Sequence, residues 1–530
     1  MQYHILFIIC IKFIYSRVAF AEIVLNGSAL DGPNFVIEAN MGQQYGGNLF
    51  HSFDQFNIKL NERATFSGPN SVTNIISRVT GGKTSTIDGV LESTIPDADF
   101  YLINPAGIVF GEKAELNVQG SFYASTADYL RLGINGKFNA THPEDSVLTV
   151  APPSDFGFLG SNRAPITFEN TTLSVADTFG ITAGDIKLTN SRLSAPNIVI
   201  RGEKFWAKNS LIQANTKISI ATTDSIHLAT DAVINIDSFG NIFLDTVDFL
   251  IEANGLIVGN SYQDGAAAAI NIKAHNIVIK DQASINADSY GSGKAGNVRI
   301  ETNQFDMIGD TQITAANNVG NITIIADEIT MADDATINTM SYFNQFNAGN
   351  IKIDANKLSM TDRAWIISSS FNHGKSGSIN IQTNDLNLNY KSAISSMSFG
   401  KGNAGDITIR VHDAITITEA AVVASGTTGS GNVGNLFLIL PHDQINAAEK
   451  VSSITQAKNV VTDEIADILN LAQKGGKAGN VFIISDELLA IKNGAIALNE
   501  ELLLTSCTLS NGKSAFIVEK RNGLADAFKD

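Results

Sequence analysis

Carboxylates and imidazoles are the side chains here that could do acid–base chemistry. Asp333-Asp334 is followed by Asn372-His373-Gly374. Such residues would suit hydrolysis of a glycosidic bond, which needs two placed carboxylates, one of them a proton donor. The spacing argues against it: 39 residues separate Asp334 from His373, more than one turn of the repeat described below. The remaining acids are scattered, one or two per repeat, without the clustering that would hold Ca²⁺ beside a basic residue. The eight histidines fall at unrelated places with no metal-ligand spacing. No nucleophile motif or phosphate-binding loop occurs. The chain is therefore expected not to be an enzyme, with no catalytic residue, no metal and no cofactor.

Charge and cysteine usage narrow the class further. Residues 1–21 read as a signal peptide, with an apolar run from Ile5 to Ile11 and Ala19-Phe20-Ala21 before Glu22. Its removal takes Lys12, Arg17 and no acid, leaving 34 of the 36 basic residues against 53 acidic ones. Such an acidic surface argues against nucleic acid or anionic membrane as a partner. Cys10 leaves with the signal peptide, so Cys507 stands alone and no internal disulfide can form. That suits a chain that must cross a narrow pore unfolded.

The elements that would position any site come from an internal repeat. A Gly-polar-apolar-x-apolar unit recurs at Gly296, Gly320, Gly349, Gly377, Gly405, Gly434 and Gly479, separated by 24, 29, 28, 28, 29 and 45 residues. Within a unit the apolar residues alternate, as in Ile351, Ile353, Leu358 and Met360, which is the period of a strand with one buried face. No unit can bury that face alone, but stacking one coil on the next closes a continuous core. Each glycine is expected to supply a structural turn with its backbone freedom. The following Asn is expected to bond its own backbone or its equivalent in the next coil. A β-sandwich array would favour hairpin turns and longer repeats. The predicted fold is all-β: a right-handed parallel β-helix with an N-terminal cap and a short helical insertion near the C-terminus.

The insertion explains the 45-residue interval. Val451, Ile454, Val461, Ile465, Ile468 and Leu469 follow helical spacing and Gly475-Gly476 ends it, so residues 446–476 are expected as an amphipathic helix against one face. Residues 161–445 form the repeat region, and 477–530 a terminal coil with a polar cap over the last strand edges. Nothing near the end reads as the alternating ten-residue strands of a membrane barrel.

Residues 22–160 are different. They contain Asn48-Leu49-Phe50-His51-Ser52-Phe53, then Asn74-Ile75-Ile76-Ser77-Arg78-Val79-Thr80-Gly81-Gly82 and Ile87-Asp88-Gly89. Then come Phe100-Tyr101-Leu102-Ile103-Asn104-Pro105-Ala106-Gly107-Ile108-Val109-Phe110-Gly111 and Gly120-Ser121-Phe122-Tyr123-Ala124-Ser125. In this order these motifs resemble the two-partner-secretion domain, or haemagglutination activity domain, of filamentous-haemagglutinin-type exoproteins. One departure stands out: the family's Asn-Pro-Asn-Gly is Asn104-Pro105-Ala106-Gly107 here.

The resemblance implies export from a Gram-negative-type bacterium. A dedicated outer-membrane β-barrel transporter would recognise the N-terminal domain in the periplasm, and the chain would cross extended and fold outside. Asn48, Phe50, Phe53, Asn104, Pro105 and Gly107 are the candidates for transporter recognition. Asn104-Pro105 leads them, because the pair interrupts an apolar strand in what reads as an exposed loop. His51, between phenylalanines, reads as a hydrogen-bonded structural residue. The expected function is a secreted surface adhesin with a cell-surface or carbohydrate target. A structural matrix protein is the alternative, and a polysaccharide-degrading enzyme a remote one.

Overall fold

The computed structural model describes residues 22–439, apart from 162, 238 and 343–345, and beyond them the backbone of seven strands between Asn459 and Val518. The Gly479 turn, the signal peptide and the charged tail lie outside the described residues.

The chain winds into a parallel β-solenoid. Its period-two pattern becomes straight columns of side chains. Ile270, Val298, Ile322, Ile351, Ile379, Ile407 and Leu436 stand directly one above another. So do Ile285, Ile313, Ile337, Ile366, Ile394 and Val423 on another wall. A register slip of one residue would turn a whole column outward, so the alternation fixes the stacking. All these side chains are buried, in a core that runs unbroken from Ile23 to Leu438.

The glycines at 296, 320, 349, 377, 405 and 434 line up as expected, but for a different reason. None lies in the left-handed region. A Cβ on Gly377 would stand 1.8 Å from the carbonyl oxygen of Gly349, and one on Gly405 2.1 Å from that of Gly377. The turns thus need glycine because backbone lies on backbone, not because of backbone freedom. Left-handed backbone falls instead on pairs such as Asp333–Asp334, Asp362–Arg363 and Tyr390–Lys391.

The neighbouring polar residues tie coil to coil. Asn297 Oδ1 accepts the Asn321 amide (3.0 Å), Asn321 Oδ1 that of Asn350 (2.9 Å), and Asn350 Oδ1 that of Ser378 (2.8 Å). Of the two expected Asn roles, the ladder to the next coil is the one found. A buried serine ladder accompanies it. Ser396 Oγ donates to Gly377 O (3.1 Å) and accepts from Gly405 N (2.9 Å), and Ser368 does the same one coil earlier.

The expected helix is corrected where residues are described. Asn459–Asp463 and Asp467–Ala472 are strands, paired in parallel with residues 414–418 and 422–427. The preceding coil offered unpaired N–H and C=O groups there, and pairing with them outweighs helical spacing of the apolar residues. The first and last described strands pair antiparallel. Ile23–Leu25 runs against residues 53–56, and the Leu504–Thr508/Ser514–Val518 hairpin lies against Val481–Ile484. Antiparallel pairing covers part of the strand edges that could otherwise pair with other chains.

Candidate functional site

The N-terminal coils carry something the later ones lack. The strands Asn48–Phe56, Asn74–Val79, Asp99–Ile103 and Phe122–Ser125 stack in parallel. Their inward residues Leu49, Ile75, Phe100 and Phe122 join the main core. Their outward residues Phe50, Ile76 and Tyr101 are also apolar, and they are buried too. A three-stranded antiparallel sheet, Tyr129–Leu132, Gly136–Asn139 and Pro153–Gly157, covers them with Leu130, Leu132 and Phe138. This flap makes a second core on the outside of the solenoid. Apolar residues on both faces of a strand require such a second layer.

Polar clasps hold the flap in place. Asn48 Nδ2 donates to the carbonyls of Thr149 (3.0 Å) and Ala151 (2.7 Å), while its Oδ1 accepts from Asn74 (2.9 Å). Arg78 reaches under the flap to Ser52 Oγ (2.9 Å) and Ser146 Oγ (2.7 Å), with its guanidinium over the Phe138 ring at 4.3 Å. Burial draws the Arg78 pKa down to about 10, so it stays a cation at neutral pH. His51 points into the main core against Phe53 and Phe66. Burial lowers its pKa to about 4, opposed by the bond to Glu38 O, and it is therefore neutral.

Asn104 is 0% exposed, which corrects the expected exposed turn. Its Nδ2 donates to Lys83 O and Ser85 Oγ, both at 2.9 Å, and its Oδ1 accepts the Ala106 amide at 2.9 Å. Gly107, at φ +111°, donates its N–H back to Asn104 O (3.0 Å). Here a glycine is required by its backbone angle. The Oδ1 bond to Ala106 closes the turn from its first residue, so the side chain missing at 106 is not what holds it. Pro105 and Ala106 are half-buried.

The recognition candidates therefore do not form one surface. Asn48 and Phe50 sit beneath the flap, Phe53 lies in the main core, and Asn104 to Gly107 make a separate turn at the strand's far end. The folded flap does offer apolar surface: Ile134 is 94% exposed and Val150 71%.

Sequence inspection missed Arg78's role as a clasp and also missed an aromatic ladder. Tyr262 stacks on Tyr290 with centroids 5.1 Å apart, Tyr342 on Phe371 at 5.0 Å and Phe371 on Phe399 at 4.8 Å. All five rings are exposed along one edge. The signal was an aromatic residue recurring at the coil period. Asp334 is held by Arg363 through two bonds of 2.6 Å, and that pairing lowers its pKa. Among the described residues, no group of three His, Cys, Asp or Glu is placed to hold a metal.

A solenoid whose first coils bear a clasped outer sheet defines a β-helical protein with a distinct N-terminal module. Residues 26–261 match the family model of the TPS secretion domain, well beyond the end expected at residue 160. Residues 26–261 are therefore a two-partner-secretion domain. It is similar to the heme/hemopexin-binding protein of Haemophilus influenzae, at 39% identity over 90 residues. That stretch is 17% of this chain and spans 9% of the relative's length. The HMW1 secretion domain from Haemophilus influenzae aligns at 18% identity, covering 76% of this chain and 96% of that one, with a TM-score of 0.36.

Proposed function

We propose that a dedicated outer-membrane β-barrel transporter exports this chain by engaging its secretion domain, and that the solenoid then acts at the cell surface as an adhesin, by binding rather than turnover. The family match over residues 26–261 carries this reading. The coil architecture supports it physically. Each coil pairs only with its neighbours, so folding can proceed as the chain emerges, coil on coil. Asn48, Phe50, Phe53 and Asn104 are accessible only before their coils close. In the periplasm they would be read from an extended chain, which can add a strand to an exposed sheet edge of the transporter. Once the domain folds, Ile134 and Val150 on the flap are among its most exposed apolar residues.

The test is secretion with the cognate transporter present. Deleting residues 22–160 should abolish release to the medium while the remaining chain still reaches the periplasm. Normal extracellular yield of the truncated chain would overturn the export reading. Cells displaying the full chain should attach to a surface that transporter-less cells do not, and equal attachment would sink the adhesive part.

A further inference from the structure

The aromatic ladder has a missing rung. Ser261 and Ser289 are bridged coil to coil, as are Ser341 and Ser370, and each precedes a ring. One coil intervenes between these pairs. Ser289 N donates to Ala316 O (3.1 Å) and Asn317 N to Met340 O (2.9 Å), so Asn317 occupies the serine position there. The residue after it is Asn318, not an aromatic. Its side-chain amide donates to the carbonyls of Ser292 (3.1 Å) and Gly293 (2.9 Å), in the loop that follows Tyr290.

Tyr290 and Tyr342 thus stand two coils apart, about 9.6 Å at the usual strand spacing. Each ring is stacked on one neighbour, and both remain about half exposed. Two carbon–carbon contacts of about 3.5–4 Å occupy about 7–8 Å of the spacing between them. About 2 Å remains, more than the pucker of a chair's ring atoms alone needs and enough to admit an axial substituent, and a flat aromatic guest would be looser still. Asp288 lies at the base, accepting from Thr314 Oγ1 (2.8 Å) and Ala316 N (2.7 Å) and facing the Tyr290 hydroxyl at 3.4 Å. The chain's net charge of −17 and this acid disfavour an anionic ligand.

We propose that the gap between Tyr290 and Tyr342 binds one pyranose residue of a neutral glycan, sandwiched between the two phenol faces. The inference deepens the adhesive reading and rests on it for its biological sense, but its chemistry is tested separately.

The experiment is calorimetric titration of the full secreted chain with neutral hexasaccharides of glucose, mannose and galactose. At least one should bind. Tyr290→Ala and Tyr342→Ala should each weaken it about tenfold, the loss expected of one aromatic stacking face. Tyr290→Phe keeps the face and should bind like the parent. Tyr262→Ala lies outside the gap and should change binding by less than about twofold. Thermal unfolding of each variant checks the fold, and Tyr342→Leu replaces the alanine variant if that one unfolds. The proposal is overturned if no neutral hexasaccharide binds or if both alanine variants bind like the parent. It is also overturned if the gap takes a sulfated glycan or a flat ligand such as haem instead. Unchanged attachment by cells carrying Tyr290→Ala, with calorimetry also unchanged, would remove this site and leave the adhesive reading standing. Absent attachment by the parent, with hexasaccharide binding intact, would do the reverse.

Discussion

A Cβ added to Gly349 would stand 1.6 Å from the carbonyl oxygen of Gly320. The two residues are a whole coil apart in sequence, and their backbones touch. No side-chain rotation relieves such a contact, so the coils themselves would have to separate.

Gly349→Val should therefore destabilise the solenoid by about 3 kcal/mol or more, and Gly349→Ala by only slightly less. Gly160→Ala is the control, since a Cβ there meets nothing within 4 Å. Urea unfolding compares the three. Equal midpoints for Gly349→Ala and Gly160→Ala would refute the backbone-contact explanation.

Ser396 is a buried hydroxyl whose two partners are both backbone groups of the glycine turns. Ser396→Ala leaves the Gly405 N–H and the Gly377 carbonyl without that partner, at a cost of about 1–3 kcal/mol. Slower amide exchange at Gly405 in the variant than in the parent would contradict the assignment.

His51 makes stability depend on pH. The unfolded chain takes up the proton near pH 6.5, and the folded one, through burial, only near 4. Between those values the unfolded state binds more protons, so stability is lost as pH falls through that window. At about 1.4 kcal/mol per pH unit the loss totals about 3 kcal/mol by pH 4. His51→Phe should flatten this part of the profile. A parent and variant with parallel profiles from pH 7 to 4 would rule it out.

Asn104→Ala should cost about 1–3 kcal/mol, because it strands Lys83 O, Ser85 Oγ and the Ala106 amide. Ile134→Ser and Val150→Ser should leave thermal unfolding within about 0.5 kcal/mol of the parent. If the flap contacts the transporter, these two should still lower extracellular yield. Secretion that tracks stability alone across all three variants would place recognition elsewhere.

The repeat was legible because strand alternation and a fixed coil length both leave marks in one dimension. Gly296 to Gly434 mark the coil register in the sequence itself, which left two roles open for the neighbouring Asn, and stacking selects the ladder. The cause of the glycines was not legible, since contact between Gly349 and Gly320 exists only after stacking. The same holds for the flap: Phe50, Ile76 and Tyr101 read as strand residues, but nothing local says that their outer face is covered. Asn104 looked exposed because Pro105 breaks a strand, yet a strand break can be buried when its polar groups are satisfied. The stretch around Val461 and Ile468 fits both periods, and the neighbouring edge decided between them. The aromatic ladder was visible as spacing and went unread because the rings are not part of the glycine unit.

The bonds between coils run along the rod, and this sets how it would respond to a pull. Tension applied across its two ends would load one pair of neighbouring coils at a time, like a zip, rather than shearing all of them together. Each released coil of 28 or 29 residues adds about 90–100 Å of slack. A rod of this kind anchored at both ends would lengthen in steps and absorb a sudden drag, and its remaining coils would stay folded.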